Sequence, residues 1–117
     1  MDFLETTKDN LIALRLTDKL SQSDIETLHE RMDEILEHHD QVDFYFEFHE
    51  FEGYTPKGLW EDIKVDAKHH SDYGKMAFVG DKEWLEKVAQ ATDLVTDSEV
   101  KYFPLEEIVQ AKAWIGI

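Results

Sequence analysis

Three side chains at a spacing of two, Tyr45, Glu47 and His49, are the residues of this chain best placed to do chemistry. Alternate residues of an extended strand share a face, so the phenol, carboxylate and imidazole form one polar row. Joined by Asp81 from another strand end, such a row can make a carboxylate–imidazole metal site or an acid–base site. The plainer expectation is the solvated face of an edge strand, because the chain has no cysteine, no HExxH pair and no nucleophile elbow. The pairs His38-His39 and His69-His70 also invite a metal. Adjacent helical residues point about 100° apart, so neither pair chelates one ion, and both stand near predicted helix C-termini, where the dipole accounts for them. Gly80-Asp81 can suggest a phosphate at a helix N-terminus, but one glycine is not a phosphate loop, and an aspartate there caps the helix and repels phosphate. The residues therefore assign no catalytic group, no cofactor and no metal.

A second constellation is apolar. Phe48, Phe51, Tyr54, Leu59, Trp60 and Ile63 crowd the junction between a predicted strand and the helix that follows it. Ligands of open α/β sheets bind beyond the carboxyl ends of the strands, and an aromatic loop there can roof an apolar pocket or meet a membrane interface. These six residues are the expected ligand-binding set. The alternative is that they complete the core of a small domain. Gly53 and Gly58 flank the junction and can absorb the motion that ligand entry into a close-packed domain requires.

Behind these residues stands a regular alternation of elements. Phe3–Thr6 and Leu11–Leu16 flank the polar turn Thr7–Asn10 and read as a hairpin, the second strand apolar on both faces from Leu11 to Leu14 and so central. Ser21 with Asp24 three residues on resembles a capping box, and Ile25, Leu28, Met32, Ile35 and Leu36 then form a helical stripe. From Gln41 to His49, Val42, Phe44, Phe46 and Phe48 alternate with Asp43, Tyr45, Glu47 and His49. Thr55-Pro56 opens a second helix carrying Leu59, Trp60, Ile63 and Ala67, with Gly74 as a stop signal. Met76–Val79 is a strand, Asp81 caps a third helix with Trp84, Leu85, Val88 and Ala91, and Glu99–Phe103 is the fifth strand. Pro104 starts a last helix with Leu105, Ile108, Val109, Ala111 and Ile115. The order β-β-α-β-α-β-α-β-α predicts an α/β fold: one mostly parallel five-stranded sheet with crossover helices and an antiparallel first strand at the edge.

Composition narrows the functional classes. The 117 residues fit one domain, residues 1–117, and 42% hydrophobic content is enough for a core without a metal or disulfide. Zero cysteines exclude disulfides, thiol catalysis and sulfur-ligated zinc, and suit a reducing cytoplasm. Asp2 and Glu5 interrupt the start, so no secretory leader is expected, and apolar runs such as Leu11–Leu14 are far short of the ~20 residues that span a bilayer. A net charge of −15 repels phosphate backbones and anionic headgroups, so nucleic acid is not an expected partner. The same charge favours neutral or cationic amphiphiles and zwitterionic interfaces.

The series Trp60-Glu61-Asp62, His69 or His70, Met76-Ala77-Phe78-Val79-Gly80-Asp81 with Trp84, Val100-Lys101-Tyr102-Phe103, and Ala111 with Trp114 resembles the SpoIIAA-like family over almost the whole chain. These are small STAS-like proteins, similar in fold to anti-sigma-factor antagonists and to lipid-carrying CRAL-TRIO domains. The resemblance implies a STAS-like fold and a non-enzymatic domain that binds a small apolar or amphipathic molecule or makes transient contact with a membrane; with the composition, the expected place is the cytoplasm, peripheral at a zwitterionic surface. The alternative it implies is a protein-interaction module in an anti-sigma-antagonist-like switch. True antagonists carry a phosphorylatable serine in an Asp-Ser-Ser-Gly-like context; here the region reads Glu52-Gly53-Tyr54-Thr55-Pro56-Lys57-Gly58, and Thr55 is the nearest aliphatic hydroxyl. No protein partner is identified.

Overall fold

A computed structural model describes residues 2–17, 21–49, 73–81, 83 and 99–117. Its elements are β1 (Asp2–Phe3), β2 (Leu11–Leu16), α1 (Gln22–Leu36), β3 (Val42–Phe48), β4 (Tyr73–Gly80), β5 (Glu99–Pro104), a 3-10 turn (Leu105–Glu107) and α2 (Ile108–Ile115). The strands stand in chain order, β1-β2-β3-β4-β5. β1 is antiparallel to β2 at one edge, and the other pairs are parallel. This is the mostly parallel α/β sheet that the element order predicts.

Local chemistry starts α1. Ser21 Oγ accepts from the Asp24 backbone N–H at 3.0 Å and Asp24 Oδ2 accepts from the Ser21 N–H at 3.1 Å, a complete capping box. The crossover from β2 to β3 lays α1 on one face of the sheet, where Leu28 and Met32 are buried against Ile12, Leu14, Phe44, Phe46 and Phe78. Aromatic rings continue across the strands of this face: Phe44–Phe46 at 5.3 Å, Phe46–Phe78 at 5.4 Å and Phe78–Tyr102 at 5.8 Å between centroids. The opposite face holds Leu11, Ala13, Tyr45, Ala77, Val79 and Phe103, and α2 covers it with Ala111 and Ile115. Gly116 ends α2 at φ 95°, and its N–H and that of Ile117 both bond the Lys112 carbonyl.

Two covered faces explain why β2 is apolar on both sides. They also correct several expectations. β3 is the middle strand of the sheet and not an edge, and all seven of its residues are buried, so its polar row is not a solvated face. β2, by contrast, is internal as expected, between β1 and β3. α1 stops at Leu36 with no basic residue in its last turn; His38 and His39 lie beyond it and donate their backbone N–H groups to the Ile35 carbonyl. Pro104 both closes β5 and caps the 3-10 turn that leads into α2, as expected of the residue that starts the last helix, but Val109 is 78% exposed rather than part of the inward stripe. Gly74 lies inside β4, not after a helix. A Cβ there would stand 2.1 Å from Asp43 Oδ1, so the residue is small because a carboxylate passes over it. The helix expected from Thr55, with His69 and His70, and most of the helix expected after Asp81 lie outside the described residues.

Candidate functional site

Glu47 lies near the carboxyl end of the middle strand, in register with Arg15 of β2 and Val79 of β4. Its side chain is 1% exposed, and an ionised carboxylate so buried requires partners. Arg15 Nε donates to Oε2 at 2.8 Å and the Tyr45 hydroxyl donates to Oε1 at 2.9 Å. His49 Nε2 stands 3.2 Å from Oε2 but is not aligned as a hydrogen bond. The His49 backbone N–H bonds the Leu16 carbonyl at 2.9 Å, which ties this residue to the end of β2.

Burial by itself would raise the Glu47 carboxyl. The hydrogen bonds from Arg15 and Tyr45 and the neighbouring His49 outweigh it and hold the group below the usual carboxylate range. The Tyr45 phenol is pushed well above its ordinary value, first by burial and then by its bond to Glu47. The same carboxylate raises the Arg15 guanidinium. Near neutral pH Glu47 is thus a fixed anion and Tyr45 a fixed donor, and neither is poised to exchange a proton. What the network does is hold two groups in place. The Arg15 and His49 side chains, 44% and 37% exposed, reach from the buried carboxylate to the surface at the carboxyl end of β2 and β3. Open α/β sheets receive ligands at this end.

The structure brings Tyr45, Glu47 and His49 together, as the spacing predicts, and adds Arg15, which sequence reasoning missed. The signal was present: an isolated arginine in the apolar run Leu11–Leu16 requires a counter-charge on a neighbouring strand. Asp81 is exposed just past β4, and among the described residues no three His, Asp or Glu side chains converge on a metal position. Phe48 ends β3, 3% exposed, on the α1 face with Phe46 and Phe78, so it is separated from the Glu47 network by the sheet itself. The other five members of the expected ligand-binding set, Phe51, Tyr54, Leu59, Trp60 and Ile63, lie outside the described residues, as does Thr55. No described helix is long and apolar enough to cross a membrane.

Compared with known proteins, residues 11–116 match a family model described as SpoIIAA-like. No curated protein matches the chain.

Proposed function

Starting from the fact that the chain belongs to the SpoIIAA-like family and is a STAS-type module, we propose that it is a non-enzymatic binding domain for a small apolar or amphipathic molecule, taken at the carboxyl end of the sheet. The observation that carries this reading is the Glu47 network, which holds Arg15 and His49 half-exposed at that end while keeping Glu47 and Tyr45 out of proton transfer. A polar head group meets donors from Arg15 and His49. The apolar body meets the aromatic and aliphatic residues that follow β3 in the chain: Phe51, Tyr54, Leu59, Trp60 and Ile63. The net charge of −15 selects neutral, zwitterionic or cationic amphiphiles over anionic ones, and a zwitterionic membrane surface offers the same chemistry.

Native mass spectrometry of the purified protein tests this, together with titration of a Trp84→Phe/Trp114→Phe variant with lysophosphatidylcholine, fatty acids and small hydrophobes. The expected results are a retained lipid, a change in Trp60 emission and a higher Tm by mass action. No retained lipid and no shift of emission or Tm across the panel would overturn the reading and leave the aromatic set as core.

A further inference from the structure

Trp114 of α2 and the strands beneath it gather aromatic and basic side chains. Trp114 packs on Phe103 with ring centroids 6.1 Å apart and remains half-exposed. Two ammonium groups stand over the Trp114 ring, Lys75 Nζ at 5.4 Å and Lys101 Nζ at 5.7 Å from its centroid. Lys101 Nζ is also 5.8 Å from the Phe103 ring. Among the described residues neither lysine side chain pairs with a carboxylate, in a chain with 27 acidic residues against 12 basic ones. Glu99, in register opposite Lys75, is exposed and forms no such pair, and Glu106 and Glu107 point to solvent before α2 begins. On the outer side of α2, Ala113 is exposed and Val109 is 78% exposed, one turn apart.

A cation over an aromatic ring contributes about 0.5–1 kcal/mol at an exposed site, less than an unpaired ammonium can gain from a well-placed carboxylate in a partly dry interface. Tryptophan is the residue type most enriched where binding energy concentrates, and lysine stems cover apolar surface while their heads stay available. The arrangement is an aromatic platform beside two ammonium groups that form no ion pair among the described residues.

We infer that this face, where Trp114 of α2 meets β4 and β5, docks a partner protein through a short acidic segment, carboxylates on Lys75 and Lys101 and an apolar side chain on Trp114. Charge complementarity selects this occupant. Extended polyanions such as nucleic acid or an anionic membrane present charge to the whole −15 body and are repelled. A segment carrying two or three carboxylates meets only the local field, since exposed charges beyond about 8 Å are screened at physiological salt. The face is independent of the carboxyl-end ligand site. Lys75 lies four residues before Val79 on β4, so it stands ~13 Å along the sheet from the level of Glu47.

The test follows Trp114 emission in the full chain with Trp60→Phe and Trp84→Phe. The probes are a peptide of alternating glutamate and leucine, its serine–leucine counterpart, inorganic phosphate and phosphatidylglycerol vesicles. Saturable binding of the glutamate–leucine peptide is expected, at least ten-fold tighter than the serine–leucine peptide. It should weaken at least ten-fold on Lys75→Gln/Lys101→Gln, be retained on Lys75→Arg/Lys101→Arg and be unchanged by His49→Ala. Equal binding of both peptides, or undiminished binding by the glutamine variant, overturns the inference. So does saturation by phosphate or vesicles at the same strength, which would mark an unselective anion surface. If the double glutamine variant does not fold, Lys101→Gln alone and the salt dependence of the parent decide: affinity that does not fall between 50 and 300 mM NaCl sinks the proposal.

Discussion

Asp43 and Glu47 are both buried acids on the same face of β3, two pleat repeats apart, and they are held in different ways. Asp43 is bound largely to the framework. Its Oδ1 accepts from the Lys75 backbone N–H at 2.8 Å over the open Cα of Gly74, and its Oδ2 takes Lys8 Nζ, which also donates to the Ile115 carbonyl at 2.9 Å. The Asp43 backbone N–H bonds the Asn10 carbonyl at 2.8 Å. One carboxylate thereby joins the hairpin turn, β4 and the end of α2. Glu47 is bound only by side chains, and two of its three neighbours reach solvent. A buried acid fastened to backbone determines how elements meet. One fastened to partly exposed side chains sets the position of groups that something else can touch.

This contrast predicts that the framework end is the more costly to disturb. Gly74→Ala would drive a methyl into Asp43 Oδ1 and break its bond to the Lys75 N–H, and a loss of about 3 kcal/mol in chemical denaturation is expected. A loss below about 1 kcal/mol would show that Asp43 moves freely and that the two ends do not differ.

Glu47→Gln keeps the volume and removes the charge, at an expected cost of about 1–2 kcal/mol at pH 7, moderated because Arg15 can return to water. The cost should depend on pH. Glu47 has a folded-state pKa below its ordinary value of 4.5, so its stabilisation is fully present above that pH and is lost as pH falls through the lower folded value. Denaturation curves of parent and variant at pH 7, 4.5 and 3 should therefore converge with acid. A difference that persists unchanged at pH 3 would mean the charge of Glu47 contributes nothing.

The smallest effect sharpens the comparison most. His49→Ala should change stability by less than about 0.5 kcal/mol, because the side chain is 37% exposed and is not aligned as a hydrogen bond, while weakening uptake of lysophosphatidylcholine measurably. A large loss of stability with unchanged uptake would make the carboxyl end a second framework clasp.

Much of this was readable along the chain because it depends on neighbours in sequence. The capping box needs only Ser21 and Asp24, and the division of β3 into Phe44–Phe46–Phe48 and Asp43–Tyr45–Glu47 needs only the pleat. The parallel order of strands follows from the alternation of elements, through the handedness of crossovers. Other features had two local readings with the same pattern. Gly74 fits a helix stop as well as a close approach in a strand, and Val109 fits an inward stripe as well as an outer face.

What the sequence by itself determined is thus the fold class, the start of α1 and which residues of β3 share a face. Only the tertiary structure decided that both faces of the sheet are covered, that Arg15 meets Glu47 across the strands and that Lys75 and Lys101 gather at Trp114. The physical reason is range. Caps and pleats are written by residues a few positions apart, whereas burial and charge pairing depend on which segment arrives from far along the chain: α2 on the second face, and Lys8 35 residues from its acid.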